Sequence, residues 1–176
     1  MITVAIIGAG PLGRWLALSA ARAGYRVLLE DVMPAKLALA SQAAIAVSTD
    51  QISVELVSAV EDAVRDADLA IDCVPDELES KLEILWLLDR MAPPKMVIAT
   101  PTTQQSIVDL ASCTYRPERC VAIAVDPRTL SGPDFQRGSA IITIRTTPAT
   151  LPEASALVAG FWENLGFTPR VEIASV

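Results

Sequence analysis

A glycine-rich turn near the start of this 176-residue sequence constrains its fold more than any other feature. Gly8, Gly10 and Gly13 follow the apolar run Thr3–Ile7 and open a helical pattern over residues 11–23. In such a turn the first glycine permits the tight bend, the second lets the backbone approach a pyrophosphate, and the third lets the helix pack closely on the strand. The alternative is a glycine turn without a ligand. The residues predicted to contact a dinucleotide here are Gly8, Gly10, Pro11, Leu12 and Gly13.

Apolar runs and helical patterns alternate along the rest of the chain. This alternation predicts a single α/β domain over residues 1–176, of the Rossmann type, with a doubly wound, mostly parallel sheet and helices on both faces. The predicted strands are residues 3–7, 26–30, 52–56, 69–74, 96–99, 120–125, 140–144 and 170–173. The predicted helices are residues 11–23, 34–46, 60–65, 77–91, 106–112 and 152–165, and residues 126–138 form a long loop.

The predicted helix over residues 77–91 carries large apolar side chains at helical spacing. Leu78, Leu82, Leu85 and Trp86 fall on one face at helical spacing, which predicts a helix here, and Pro93 with Pro94 ends it.

The composition argues against several classes of function. The net charge is −7 and both signs are interspersed, so no basic stripe is present to follow a nucleic-acid backbone. The start of the sequence lacks the features of a signal peptide, no run resembles a membrane span, and a cytoplasmic location is expected. Cys73, Cys113 and Cys120 lack the spacing of a zinc site, so we expect reduced thiols and no metal. The chain contains no histidine.

The second predicted strand ends in two acidic residues, Glu30 and Asp31. Asp31 follows the last glycine by about twenty residues, which is the spacing of the carboxylate that binds the adenosine ribose hydroxyls. A carboxylate there repels a 2′-phosphate, so the sequence favours NAD over NADP. The alternatives are a solvated acidic strand end, or Glu30 in the role of Asp31.

Several sequence blocks extend the argument beyond the turn. The opening VAIIGAGPLGRWLALSAARAGYRVLLEDVMP is followed in order by DADLAIDCVPDELESKLEIL, MAPPKMVIATPTT, RPERCVAI and NLGFTPRVEI. Together these resemble the N-terminal NAD-binding domain of the 3-hydroxyacyl-CoA dehydrogenase family over nearly the whole chain. The resemblance implies a doubly wound sheet with NAD lying across the strand ends.

The resemblance also implies cofactor contacts in the middle of the chain. It places Asp76 where the family has a glutamate near the nicotinamide end of the cofactor, and Lys81 where the family has a lysine that contacts the cofactor. Lys81 could instead pair with Glu77 on the helix surface, and Asp76 could be the N-cap of that helix. Further cofactor contacts expected from the resemblance are Val74, Pro75 and Thr100.

The catalytic positions of the family are altered in this sequence. The segment ATPTT matches the family's ASNTS loop, which places Thr103 at the catalytic-site serine, with Pro101 in place of the asparagine. Thr103 could instead cap the next helix. After RPER the family has HFFNP, whose histidine is the acid/base, whereas here Ala124 stands nearest that position. Asp126 is the nearby candidate base, or else a turn residue before Pro127.

In the family, a helical C-terminal domain closes the acyl-CoA cleft and supplies a dimer interface, and this chain ends where that domain would begin. We therefore expect an NAD(H)-binding domain whose oxidoreductase activity on a small acyl-type substrate is weak or lost. One alternative is a non-catalytic, NAD-responsive module that acts through a protein partner. Another is a small dehydrogenase for a different substrate, completed by a second subunit.

The high apolar content, 52% of residues, suggests that a face is shared with a second copy of the chain. Trp86, Phe161 and Trp162 lie on predicted helices and are candidates for this homodimer contact. The alternative is that they fill the layers between the helices and the sheet.

Overall fold

The computed structural model describes residues 1–45, 54–125 and 140–174. Its strands are β1 (Thr3–Ile7), β2 (Arg26–Glu30), β3 (Val54–Val57), β4 (Leu69–Asp72), β5 (Val97–Pro101), β6 (Cys120–Ala124), β7 (Ile141–Thr146) and β8 (Thr168–Ile173). Its helices are α1 (Pro11–Arg22), α2 (Pro34–Ile45), α3 (Val60–Val64), α4 (Leu78–Met91), α5 (Ile107–Ser112) and α6 (Pro152–Asn164). A short 3₁₀ turn, Pro117–Arg119, precedes β6.

All eight strands form one sheet in the order β3-β2-β1-β4-β5-β6-β7-β8. Neighbouring strands are parallel except for the antiparallel pair β6 and β7. The chain starts in the interior at β1, winds outward to β3, and returns to β4 on the other side of β1. In open sheets of this kind ligands bind at the carboxyl ends of the strands where the winding reverses. The predicted doubly wound fold is confirmed, and the crevice lies between the ends of β1 and β4.

Helices cover both faces of the sheet. One apolar layer contains side chains of α1 and α6, such as Leu16 and Phe161, and the other contains side chains of α3, α4 and α5. Successive residues of β2 alternate between them, with Leu28 in the second layer and Leu29 in the first. This alternation directs the two acidic residues after Leu29 toward opposite faces of the sheet.

The element types agree with the sequence predictions, and most ends differ by one to three residues. The strands β1 and β2 have the predicted bounds, and Gly24 ends α1 with a φ of 87°, in the left-handed region. Strand β5 begins and ends later than predicted and includes Pro101. The whole predicted loop, residues 126–138, lies outside the described residues, as does the predicted end of α2 at residue 46.

The helix predicted over residues 77–91 is confirmed as α4, but its apolar stripe is only partly buried. Leu85 is buried, but Leu78 and Trp86 are about half exposed. The buried side chains are instead Lys81, Ile84, Leu85, Leu88 and Asp89. Two of these are charged, and a hydrophobic pattern cannot identify a buried face that contains ion pairs.

Two of the three candidate dimer aromatics are core residues. Phe161 is 1% exposed and Trp162 is 0% exposed, and Phe167 packs edge-on against Trp162. The alternative interpretation was therefore right for these two, and Trp86 is the exposed member of the set. No helix in the described ranges is long and apolar enough to cross a membrane.

Candidate dinucleotide site

The turn between β1 and α1 depends on two glycines for its shape. Gly8 has a φ of 103°, and a Cβ there would lie 3.1 Å from the carbonyl oxygen of Cys73. A Cβ on Gly13 would lie 1.8 Å from the carbonyl oxygen of Gly8, which is impossible without moving the backbone. The first glycine therefore makes the bend, and the third allows α1 to pack against it, as predicted.

Gly10 has a different role because no heavy atom lies within 4 Å of the position of a Cβ there. It is the N-cap residue of α1 and has no side chain to satisfy the free N–H groups of the first helical turn. That turn also contains no acidic residue. An anion at this point meets unpaired backbone donors and the positive end of the helix dipole. The space and the chemistry fit the pyrophosphate of a dinucleotide.

Asp31 lies at the edge of this turn and is almost fully buried. Its Oδ2 accepts a hydrogen bond from the Ala9 amide at 2.9 Å, and its Oδ1 accepts one from the Met33 amide at 2.8 Å. The Lys36 ammonium lies 3.3 Å from Oδ2. Since a carboxylate can accept about four hydrogen bonds, Asp31 holds the glycine turn and retains room for a ribose hydroxyl.

Glu30 is 3% exposed, yet its side chain lines the same groove. Its Oε1 is buried and has no hydrogen-bond partner. Burial, with a smaller contribution from Asp31, raises the pKa of Glu30 to about 7, and Lys36 opposes the shift. Near neutral pH this carboxyl group is therefore partly protonated.

These residues line one groove of about 630 Å³ along the strand ends, within the size range of small-molecule sites. Its second wall is formed by α3 and α4 and is largely apolar. Of the residues predicted to bind cofactor, eight line this groove: Gly8, Gly10, Pro11, Leu12, Asp31, Val74, Pro75 and Asp76. The lining residues that the sequence did not indicate are Ile7, Val32, Lys36, Val60, Cys73, Ser80, Glu83, Ile84 and Leu87.

Lys81 is not in the groove lining but beneath it. Its side chain is 0% exposed, and its Nζ lies 2.5 Å from Oδ1 of Asp72. Burial raises the pKa of Asp72, and the Lys81 ammonium opposes that shift. The alternative surface pair between Lys81 and Glu77 is therefore wrong. The signal that could have revealed this pair is an aspartate that ends a buried strand and a lysine nine residues later.

Asp76 connects two loops at the mouth of the groove. Its Oδ1 accepts a hydrogen bond from the Thr102 hydroxyl, and its Oδ2 accepts one from the Thr103 amide at 2.9 Å. The N-cap residue of α4 is Glu77, whose side chain makes no capping bond, so the alternative role of Asp76 as that cap is wrong. Asp76 instead fixes the loop after β5 to the loop after β4.

Of the two predicted catalytic residues, Thr103 lies within the described ranges, just after β5. Pro101 of β5 pairs with Ile123 of the parallel strand β6, so Thr103 lies at the same edge of the sheet as Ala124, the last residue of β6. Thr103 is exposed, and its alternative role as a helix cap is wrong because Ser106 caps α5, accepting a hydrogen bond from the Asp109 amide.

Three further predicted residues differ in their surroundings. Thr100 is buried within β5 and does not line the groove, and Asp126 lies outside the described residues. Cys73 lines the groove, but burial raises the pKa of its thiol, which therefore stays protonated and unreactive. Within the described ranges, no group of three or more His, Cys, Asp or Glu side chains is placed to hold a metal ion.

Comparison with known proteins agrees with this geometry. A related protein from Bradyrhizobium diazoefficiens, 3-hydroxybutyryl-CoA dehydrogenase, is 33% identical over 134 residues, covering 68% of this chain and 46% of that protein. A related protein from Mesorhizobium japonicum, 5-formyl-3-hydroxy-2-methylpyridine 4-carboxylate 5-dehydrogenase, is 30% identical, and the match covers 96% of this chain and 56% of that protein. The chain thus spans about half the length of these curated relatives.

A solved structure shows the same arrangement of strands and helices. The crystal structure of a 5-formyl-3-hydroxy-2-methylpyridine 4-carboxylic acid 5-dehydrogenase, described as an NAD⁺-dependent dismutase, matches with a TM-score of 0.79 and 25% identity. The match covers 99% of this chain and 59% of that one. The family model for the NAD-binding domain of 3-hydroxyacyl-CoA dehydrogenase matches residues 3–124, from the start of β1 to the end of β6. The chain therefore belongs to the 3-hydroxyacyl-CoA dehydrogenase family, with NAD as its cofactor.

Proposed function

We propose that this chain binds NAD(H) and that its own oxidoreductase activity on a hydroxyacyl-type substrate is weak or lost. The observation that carries the proposal is at the end of β6, where Ala124 stands nearest the position that the family gives to its acid/base histidine. The 176 residues contain no histidine that could take over. A positioned acid/base typically contributes about 10²–10⁴-fold to such a step.

The binding half of the proposal rests on the groove. The turn at Gly10 receives the pyrophosphate, Asp31 accepts an adenosine ribose hydroxyl, and Asp76 and its loop border the nicotinamide end. NAD accepts or donates the hydride, and the chain's residues orient it. At the substrate side, Thr103 offers a hydroxyl that can bond a carbonyl oxygen, while the neighbouring Asp76 carboxylate is engaged by the Thr102 hydroxyl and the Thr103 amide.

We propose an acyl-type substrate for any residual activity, because one relative is named for a 3-hydroxybutyryl-CoA substrate. The second relative is named for a pyridine carboxylate, so the two relatives are named for different substrates. The unpaired cysteines at positions 73, 113 and 120 support a reducing compartment, and we propose the cytoplasm.

A second candidate function is that of a dehydrogenase subunit, or an NAD-responsive module, that is completed by another protein surface. Exposed apolar side chains favour it, notably Trp86 and Met91 on α4 and Val171 and Ile173 on β8. A homodimer is the form of this candidate that light scattering tests directly. A mass that stays at 18.7 kDa over a wide concentration range contradicts it.

The test of the leading proposal is acetoacetyl-CoA reduction by the purified chain with NADH, measured beside calorimetric NAD binding. We expect binding with little or no turnover. Thr103→Val and Asp126→Asn are the matched variants. Turnover at an ordinary enzymatic rate that is lost in either variant would overturn the proposal of weak activity while leaving NAD binding intact.

A further inference from the structure

The side chain of Glu30 faces the apolar wall of the groove. Glu30 lies two residues after Leu28 on β2, so both side chains point to the same face of the sheet, the face covered by α3, α4 and α5. Its strand neighbours are Ile7 and Val57. The groove on this side is lined by Val60 of α3 and by Ile84 and Leu87 of α4. Ser80 and Glu83 of α4 also line the groove, and the apolar side chains between them offer a surface that suits an aromatic ring.

Asp31 faces the other way, toward the glycine turn and Lys36. The two adjacent carboxyl groups therefore serve different parts of the groove. Asp31 has its oxygens engaged with backbone amides, whereas Oε1 of Glu30 is buried without a partner. A buried polar atom without a partner is costly; because protein atoms cover Oε1, the carboxyl group must rotate toward the groove for a ligand to supply the missing hydrogen bond and remove that cost.

We propose that Glu30 recognises the adenine ring of the bound NAD, with its carboxyl group protonated so that it both donates and accepts a hydrogen bond. This inference rests on NAD binding in the groove. A neutral carboxyl group offers one O–H donor and one carbonyl acceptor side by side. Adenine presents the complementary pair on its N7 edge, where the ring nitrogen N7 accepts and the exocyclic amine donates. An ionised carboxylate can only accept, and it repels the lone pair of the ring nitrogen.

The surrounding charges are consistent with the neutral form. Asp31 lies next in the chain and Glu83 of α4 lines the groove, and both are acidic. Lys36 is the basic residue of the lining, and it lies against Asp31. Strands β1 and β3 contribute the apolar partners of Glu30, and the acidic residues of α3, Glu61 and Asp62, are exposed. Burial raises the pKa of Glu30 to about 7, so the proton is available under ordinary conditions.

The pH dependence of NAD affinity tests the proposal, because the chain has no histidine to titrate in the same range. The α-amino group of Met1 lies beyond the opposite end of β1 from the groove. If binding requires the protonated form, NAD affinity measured by calorimetry falls about thirtyfold between about pH 6 and about pH 8.5. Glu30→Gln presents a donor and an acceptor at any pH, so it binds NAD with no such fall.

The matched control is Glu55→Gln on the neighbouring strand β3. Glu55 is exposed, pairs with Arg26, and is remote from the groove lining, so this variant keeps the wild-type pH dependence. Glu30→Leu removes both hydrogen-bonding atoms and is expected to weaken NAD binding about tenfold or more at pH 6. Thermal melting of each variant verifies that it is folded.

A dinucleotide with hypoxanthine in place of adenine identifies the part of NAD that Glu30 contacts. On the N7 edge hypoxanthine presents two acceptors, N7 and the oxygen that replaces the amine, so the wild-type protein should prefer NAD over nicotinamide hypoxanthine dinucleotide by about tenfold. Glu30→Leu should lose that preference. Equal discrimination by the wild type and Glu30→Leu would overturn the adenine contact.

Proton uptake gives a readout that needs no variant. Calorimetry of wild-type NAD binding at about pH 8, in two buffers of different ionisation enthalpy, should show uptake approaching one proton per NAD. No uptake, or a fall in affinity that persists in Glu30→Gln, would overturn the inference and leave NAD binding standing. No NAD binding at about pH 6 would overturn both the inference and the proposed function.

Discussion

Replacing Lys81 by methionine tests whether the ion pair beneath the groove is structural. The substitution keeps the length and apolar stem of the side chain but leaves the Asp72 carboxylate buried without its cation. Asp72 and Lys81 are 0% exposed, so solvent cannot take the place of the lost partner. Removing one member of a buried pair typically costs about 3–5 kcal/mol. For a domain of this length that is a fall in Tm of about 6–20 °C.

The pH dependence of this loss provides a second check. Without Lys81, burial raises the pKa of Asp72 further because the opposing ammonium is gone, so the folded protein takes up a proton there more readily than the unfolded chain. The destabilisation of Lys81→Met should therefore be smaller at pH 5 than at pH 8. Adding Asp72→Asn removes the unpaired charge and should recover part of the lost stability.

Urea unfolding of the wild type, Lys81→Met and the double variant measures these effects, with NAD affinity determined in parallel. Arg65→Met is the control because its pair with Asp62 is exposed, and it should cost less than about 1 kcal/mol. The reasoning is refuted if Lys81→Met also costs less than about 1 kcal/mol. A loss of NAD affinity at unchanged stability would instead favour Lys81 as a direct cofactor contact, as the family resemblance implied.

Two further predictions concern the glycine turn and Glu30. Gly10→Val should fold, since the site of its Cβ is open, but should lose NAD binding. Gly13→Ala should be strongly destabilised because its Cβ would lie 1.8 Å from the Gly8 carbonyl oxygen. Circular dichroism melts measure the stability and calorimetry the binding, and a Gly10→Val protein that binds NAD normally would place the phosphates elsewhere. The pKa of Glu30 in the folded protein is raised to about 7, so the folded protein holds more protons than the unfolded chain from about pH 4.5 to about pH 7. The stability of the protein without NAD should therefore fall as the pH rises across that window and level off above it. Urea unfolding should show that Glu30→Gln removes about 1–3 kcal/mol of this fall, and an unchanged pH profile in the variant would mean that Glu30 titrates normally.

Local patterns were enough to predict the fold and the binding half of the site. The glycine spacing and the position of Asp31 depend on residues close in sequence, because one turn and the end of the next strand bring them together. Val74, Pro75 and Asp76 were predicted from the family resemblance, and they follow β4, whose carboxyl end lies beside that of β1 in the sheet.

Features that depend on burial were not predictable in this way. Lys81 reads as a surface residue because lysine is almost never fully buried unless it is paired, and its partner Asp72 lies on another element. Glu30 and Asp31 are adjacent carboxyl groups in the sequence, and the strand's alternation alone directs them to different walls of the groove. Asp76 fixes the loop that contains Thr102 by accepting a hydrogen bond from a hydroxyl 26 residues further along the chain, which local patterns cannot predict.

Calorimetric titration of the purified chain with NAD and with NADP tests the central claim most directly. The claim is that the groove at the glycine turn binds NAD, with Asp31 at the adenosine ribose. We predict that NAD binds at least about tenfold more tightly than NADP, a difference of about 1.4 kcal/mol, because Asp31 accepts a ribose hydroxyl and repels a 2′-phosphate. Equal affinities, or tighter binding of NADP through Lys36, would contradict the assignment of Asp31, and no binding of either dinucleotide would contradict the claim itself.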